Sequence, residues 1–357
     1  MQKTKNGKNY TNLAIEQKEN SEIEIKAEIP ENILSEYRER VIKDFSKDIE
    51  LKGFRKGHIP KSILMDKIGE QTIIEKQASL ALADIYPNIV MDNNLNVIGK
   101  PEVIVTKLAP KNPVGFTIKT AIMPEIKLSD YKKIARSVIL DKTEANVSEK
   151  EMDDVIEQIK KGAAINKSKK NNLEENLKKN GEQYEKLELT DDFVKTLGDF
   201  KDLADFKNKI KENLTKEKSI KKREKRRAEI IEKIIKDTKI DIPKIFVESE
   251  LDKMLAQFKD DVARMNVQFN KYLEKIKKTE NELRNEWKND AEKRAKIQLS
   301  LNEIAKKENV SVSEENVKHE VNHILEHYKD AKPESVRVYI ETVLTNEKVF
   351  QFLENQE

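Results

Sequence analysis

From Asn166 to Lys186 the chain is almost entirely lysine, asparagine and glutamate, with only Leu173, Leu177 and Tyr184 apolar. Such a segment cannot bury enough surface to offset the entropy of ordering it as a domain of its own. It reads as a hydrophilic tether or a frayed helical hairpin, and it leaves the sequence on either side to find separate cores. At 357 residues the chain is in any case too long for one core, and two or three domains are expected. Only nine glycines and nine prolines interrupt it, and charged residues (38%) match hydrophobic ones (37%). That balance suits long, solvated helices better than a dense globular enzyme.

Ahead of the tract the hydrophobic period is first two, then near 3.6. Residues 11–29 alternate, with Ile23, Ile25, Ala27 and Ile29 on one face and a hairpin turn at Lys18–Ser21. Pro30 then opens a helix carrying Leu34, Tyr37, Val41, Phe45 and Ile49. A second helix holds Ile63, Leu64 and Ile68, and a third holds Ile73, Ile74, Leu80, Leu82 and Ile85, with its stop near Pro87. Two alternating strands follow, Val103–Leu108 and Phe116–Met123, so an antiparallel sheet packed on helices closes near Pro124. Residues 126–147 read as an extended linker, and Ser148-Glu149-Lys150-Glu151 as a capping box starting a helix.

Between the first two helices stands Gly53-Phe54-Arg55-Lys56-Gly57-His58-Ile59-Pro60. Two glycines free the backbone, Pro60 fixes the exit, and an aromatic ring sits beside two cations on a short turn. A surface of that kind suits a partner that is partly apolar and partly anionic. The pattern resembles the G-F-R-x-G-x-x-P ribosome-docking motif of the trigger factor family of bacterial chaperones. The resemblance continues through the strand, helix, docking loop, helix, strand order of the N-terminal part. It returns in the helical C-terminal part, at Ile240-Asp241-Ile242-Pro243 and at Ala291-Glu292-Lys293-Arg294 leading to Ile304–Glu308. It implies a docking set of Gly53, Phe54, Arg55, Lys56, Gly57 and Pro60. Arg55 and Lys56 would meet ribosomal RNA phosphates or an acidic patch of a tunnel-rim protein, and Phe54 an apolar niche. His58 occupies a position variable in the family.

The resemblance fails where the family carries its peptidyl-prolyl isomerase domain. Roughly twenty polar residues stand where a β-rich domain of about a hundred is usual. No strand pattern or aromatic cluster lies between Ala163 and Leu187, so no isomerase activity is expected.

Beyond Leu187 the sequence reads as helical throughout. A lysine-rich helix reaches Asp237, Pro243 sits in the first turn of the next, and Thr279-Glu280-Asn281-Glu282 is a second capping box. Ser313 caps a further helix through Tyr328, and Pro333 opens the last pair. Met254, Phe258, Met265, Phe269, Tyr272 and Trp287 recur at helical spacing, with Ile297, Leu301 and Tyr339. Most such positions are core between paired helices; the first six are the candidates for contact with unfolded polypeptides, for which methionine and aromatic surfaces suit.

Two motifs invite sharper readings. His319-Glu320-Val321-Asn322-His323 is a formal zinc-peptidase pattern, extended by His327. At about 100° per residue, however, Val317, Val321, Ile324, Leu325 and Tyr328 form the apolar stripe and the histidines the solvent face. The pattern is a chance one on this reading, and no metal is expected. Lys221–Arg227 is a basic run on a helix whose buried stripe is Leu214, Ala228, Ile231, Ile234 and Ile235. Such runs are ordinarily solvated faces; contact with ribosomal RNA or acidic client segments is the alternative.

The absence of cysteine excludes disulfides, thiol catalysis and cysteine-zinc sites. No phosphate-binding glycine loop, dinucleotide fingerprint or nucleophile elbow occurs. A net charge of +3 confines any nucleic-acid contact to local patches. Residues 1–10 lack the apolar core of a secretory signal, and no apolar run approaches the ~18 residues of a membrane span, so a cytoplasmic protein is expected.

The expected architecture is an elongated one. An α+β ribosome-binding domain spans 1–125, a linker, helix and polar tether 126–188, and an all-α client-binding domain with arms 189–357. The expected activity is nucleotide-independent chaperoning of nascent chains at the ribosomal exit tunnel, with no cofactor and no membrane partner. A weak homodimer stays open. The rival readings are a helical holdase or adaptor that never visits the ribosome and, less favoured, a zinc metallopeptidase.

Overall fold

The computed structural model describes residues 9–51, 54, 58–139, 147–170 and 189–356, the side chains of 164–170 excepted. Its contacts divide the chain into two compact units, each made of two segments: Met1–Leu128 with Thr238–Ile304, and Ser129–Asp237 with Ala305–Glu357. The division by contacts thus runs across the segments that the sequence separates at 125 and 188.

In the first unit, β1 (Thr11–Gln17), β2 (Glu22–Ile29), β3 (Val97–Lys107) and β4 (Val114–Ile122) form an antiparallel sheet of order β1-β2-β4-β3. The turn expected at Lys18–Ser21 is present. Lys18 N–H donates to Glu22 O at 2.8 Å, and Asn20 and Ser21 take positive φ. Alternation in β2 has its expected cause, since Ile23, Ile25, Ala27 and Ile29 are all buried. They pack with Phe116, Ile118, Tyr37, Ile85 and Ile89 into the core between sheet and helices.

Those helices are α1 (Glu31–Glu36), α2 (Arg38–Asp48), α3 (Lys61–Ile68) and α4 (Glu70–Asp92). The expected stop at Pro87 is corrected: α4 runs through it to Asp92. An interior proline costs about 3 kcal/mol, but Ile85 and Ile89 on either side are fully buried, and that burial offsets the lost hydrogen bond. The strand expected from Val103 begins at Val97. Its register shifts between Ile98 and Glu102, so an irregularity absorbs Gly99 and Pro101 within the strand. Its exposed end also departs from simple alternation, because Val103, Ile104 and Val105 are all solvent-exposed at the sheet edge.

The same unit takes in α9 (Lys244–Arg264), α10 (Phe269–Ile276) and most of α11 (Glu280–Lys307). Residues 238–245 fasten them to the sheet. Asp241 accepts the N–H groups of Asn20 (3.0 Å) and Ser21 (2.5 Å), and Ser21 Oγ donates to Asp241 O at 2.6 Å. Lys127 and Lys239 form a two-way backbone bridge. Gly99 has φ +74°, and a Cβ there would clash with Ile245 Cδ1, so both conformation and space favour glycine.

The second unit holds α5 (Tyr131–Ile139), α6 (Glu149–Lys170), α7 (Asp191–Leu197), α8 (Leu203–Asp237), α12 (Glu314–His327) and α13 (Pro333–Glu354). Helix α5 corrects the linker reading of 126–147: Ala135, Val138 and Ile139 are buried, giving the segment an apolar face. The polar tract begins inside α6, which continues to Lys170, and its remainder, 171–186, lies outside the described residues. Both capping boxes form, Ser148 with Glu151 and Thr279 with Glu282, each exchanging side-chain and backbone hydrogen bonds. Ser313 caps α12 through Asn316 N–H.

Candidate functional site

The loop that sequence analysis singles out joins α2 to α3. These helices are held together by Ile42, Ile59 and Leu64, with Phe45, Ile49, Leu51, Met65 and Ile68 packed against them. Lys61 on α3 pairs with Glu39 on α2. Pro60, with extended backbone angles, is the N-cap of α3 and sets where the loop re-enters. Of the six expected docking residues, Phe54 and Pro60 are described and both are exposed; Gly53, Arg55, Lys56 and Gly57 lie outside the described residues. Phe54 N–H donates to Leu51 O at 3.0 Å, while the residue is 39% exposed. An aromatic side chain held by its backbone yet open to solvent retains apolar area for a partner.

A groove of about 620 Å³ lies between the same helices, floored by Ile42, Ile59 and Leu64 and rimmed by Arg40, Lys43, Lys47 and Lys61, with Ser46 and the Glu39 partner of Lys61 beside them. Sequence reasoning missed these rim cations. The available signal was their i, i+3, i+7 spacing along α2, which places Arg40, Lys43 and Lys47 on one face. Arg40 and Lys47 have carboxylates at 3.7 and 3.8 Å, Asp84 and Asp44. An apolar floor with a cationic rim matches the chemistry read from the loop.

The second candidate surface is at the junction of α9, α10 and α11. Five of the six expected residues meet there, and Phe258 is the hub. Its ring contacts Phe269 (6.1 Å), Tyr272 (5.5 Å) and Trp287 (5.3 Å), each edge to face. Met254 packs with Trp287 on Val247, Leu251 and Ala291. All five are half-buried, so each contributes to packing and keeps part of its surface open. Met265 stands apart at the end of α9, 66% exposed and near Val267. Arg284 of α11 clamps Glu248 (2.6 Å) and Asp252 (2.7 Å) of α9, and Lys259 pairs with Glu280 at 3.0 Å. Polar clamps hold the helices while the aromatic ring cluster remains accessible. Of the further apolar positions, Leu301 is buried and Tyr339 exposed.

The histidine motif lies where its helical phase puts it. His319, His323 and His327 are exposed on α12 while Val317 is buried, though Tyr328 is exposed rather than part of the apolar stripe. His319 Nδ1 is 3.2 Å from Glu320, its neighbour, and the His323 and His327 rings meet edge to face. No group of three or more metal-ligating side chains occurs among the described residues.

The basic run is not wholly a solvated face, which corrects the sequence reading. Arg227 is largely buried, and its guanidinium binds Glu347 (2.6 and 2.9 Å) and Glu354 (2.8 Å) of α13 and lies over Phe350. The hydrogen bonds from both carboxylates push its pKa further up, and those from Arg227 hold Glu347 below the usual carboxylate range. Ala228, expected in the buried stripe, is exposed. No described helix is long and apolar enough to cross a membrane.

Two family models match this chain. Residues 11–159 match the family model for bacterial trigger factor protein, and residues 202–355 match the model for its C-terminus. Among curated proteins, the trigger factor of Halothermothrix orenii is 23% identical over 401 positions, covering 91% of this chain and 92% of that one. The Bacillus subtilis trigger factor is 24% identical, with 86% and 88% covered. A solved trigger factor chaperone structure, from work on promiscuous substrate recognition in folding and assembly, shares the fold. It has a TM-score of 0.57 at 16% identity and covers 97% of this chain and all of that one. With both family models matched in order along most of its length, the chain belongs to the bacterial trigger factor family.

Proposed function

We propose that this chain chaperones nascent polypeptides at the ribosomal exit tunnel without nucleotide, and that it does so without prolyl isomerase activity. The observation that carries the docking part is the exposed Phe54 in a loop between two helices whose shared groove is apolar below and cationic at the rim. In this reading Phe54 fills an apolar niche of a tunnel-rim protein. Arg55 and Lys56 meet ribosomal RNA phosphates or acidic side chains, and Gly53, Gly57 and Pro60 shape the loop. Clients are held at Met254, Phe258, Phe269, Tyr272 and Trp287, with Met265 as an outlying contact, by apolar burial that requires no fixed sequence. The working site is cytoplasmic.

The absence of the isomerase is supported by two facts. The family models leave only residues 160–201 between them. The alignment to the Halothermothrix orenii relative spans 401 positions, more than the 357 residues of this chain. Residues 1–125 then act as the docking domain, 126–188 replace the isomerase, and 189–357 supply the client-binding helices.

The test is a refolding assay with a chemically unfolded client in the absence of nucleotide, read by light scattering, together with isomerisation of a proline-containing tetrapeptide. Suppressed aggregation with isomerisation at the background rate is expected. Aggregation equal to the buffer control, or turnover above background, contradicts the respective half.

A further inference from the structure

Helix α8 carries six cations in the seven residues Lys221–Arg227, and they do not share one task. Arg227 is committed to Glu347 and Glu354, and Arg223 lies on the same side, close enough to help hold the Glu347 carboxyl low. At about 100° per residue, Lys221, Lys225 and Arg226 fall away from that clamp. Among the described residues no ion pair involves Lys221, Lys225 or Arg226, and Lys221 and Lys225 are exposed. Glu224 is the one acid inside the run, and Glu229, one turn beyond Lys225, is paired with Lys233 at 2.8 Å. The helix thus presents cations at positions i, i+4 and i+5 that take part in no ion pair among the described residues.

We propose that this row on α8 is a second nucleic-acid contact, separate from the docking loop, that binds the phosphate backbone of single-stranded RNA without reading its bases. Lys221 and Lys225 are one helical turn apart, about 5–6 Å between side-chain origins, which suits successive phosphates of one strand. Backbone binding without base readout follows from composition: α8 has no aromatic residue after Phe206, so no ring is available on the helix for stacking. An acidic polypeptide is the competing partner. The regular row favours a polymer with charge at every repeat over side-chain carboxylates at irregular spacing. The inference stands independently of the docking loop, which lies in the other unit.

The experiment is fluorescence anisotropy of a labelled oligouridylate with the full chain across a salt series, repeated with a glutamate-rich peptide of equal charge. The variants are Lys221→Glu, Lys225→Glu, Arg226→Gln and the triple combination. Circular dichroism melting verifies folding, and the single variants keep the test open if the triple one melts early. The expected result is graded loss in the single variants, at least about tenfold weaker oligouridylate binding in the triple variant, and a log–log salt slope shallower by about 2. Alanine at Phe54, Arg55 and Lys56 should leave oligouridylate binding in place. Unchanged affinity and slope in folded variants overturn the proposal, as does tighter binding of the acidic peptide than of the oligouridylate by the unaltered chain.

Discussion

The sheet core and the aromatic junction of α9–α11 belong to one compact unit but are built on opposite principles. In the sheet core, Ile25, Ile29, Phe116 and Ile118 are at most 1% exposed, and no apolar area is left over. At the junction Phe258, Phe269, Tyr272 and Trp287 are half-buried, and the helices are held by charged clamps at Arg284 and Lys259. A sealed core gives stability. A junction fastened at its edges by polar groups can leave aromatic surface open for transient apolar contacts. The contrast assigns rigidity and adaptability to different residues, and substitutions can separate them.

The largest effect is expected from Phe116→Ala, which opens a cavity in the sheet core. A loss of about 3–5 kcal/mol is predicted by denaturant unfolding, with client capture per folded molecule unchanged. Arg227→Ala carries the contrast into the second unit, where a largely buried cation binds two carboxylates. Removing it leaves Glu347 and Glu354 facing each other, and a loss of about 2 kcal/mol is expected because the site is only partly desolvated. An Arg227→Ala chain melting like the parent would show that the clamp is ornamental.

Much of this contrast was legible in the sequence, and what was not has physical reasons. The β2 alternation, the two capping boxes and the apolar spacing that converges on Phe258 are short-range patterns, and each appears where expected. Helix α4 passes through Pro87 because burial of Ile85 and Ile89 outweighs a local preference, a balance set by residues distant in sequence. Helix α5 carries Tyr131, Ile134, Ala135, Val138 and Ile139 at i, i+3, i+4, i+7 and i+8, a signal present in the sequence but confined to nine residues, about the length at which a helix depends on its packing rather than on local preference. The role of Arg227 could not be read locally, since its partners lie 120 and 127 residues away. The cations rimming the α2–α3 groove share one face of α2 by their spacing, but that the face borders a groove depends on how α3 packs against it, which local sequence does not set.

Phe258→Leu isolates the aromatic part of the junction, because it keeps most of the apolar volume and loses three edge-to-face contacts. A stability loss of about 1–1.5 kcal/mol is expected, with weaker aggregation suppression measured at equal folded concentration. Equal suppression would remove the junction from the client surface.

The smallest effect concerns pH. Glu151 is held down to about 2 by the hydrogen bond from Lys218, then by those from Ser148. A carboxyl lowered on folding stabilises the folded form above its ordinary value of 4.5, and that contribution fades as pH falls towards about 2. Melting curves across this window should fall more steeply for the parent than for Glu151→Gln, and parallel curves would contradict the assignment. The group is exposed, so the difference will be slight.

The central claim, ribosome docking through the α2–α3 loop, is tested most directly by co-sedimentation with vacant and translating bacterial ribosomes. The intact chain is compared with one carrying alanine at Phe54, Arg55 and Lys56. The account predicts salt-sensitive pelleting of the intact chain that the triple substitution abolishes on vacant ribosomes and sharply reduces on translating ones. Equal pelleting of both, or of neither, would contradict it and favour a helical holdase that works away from the ribosome.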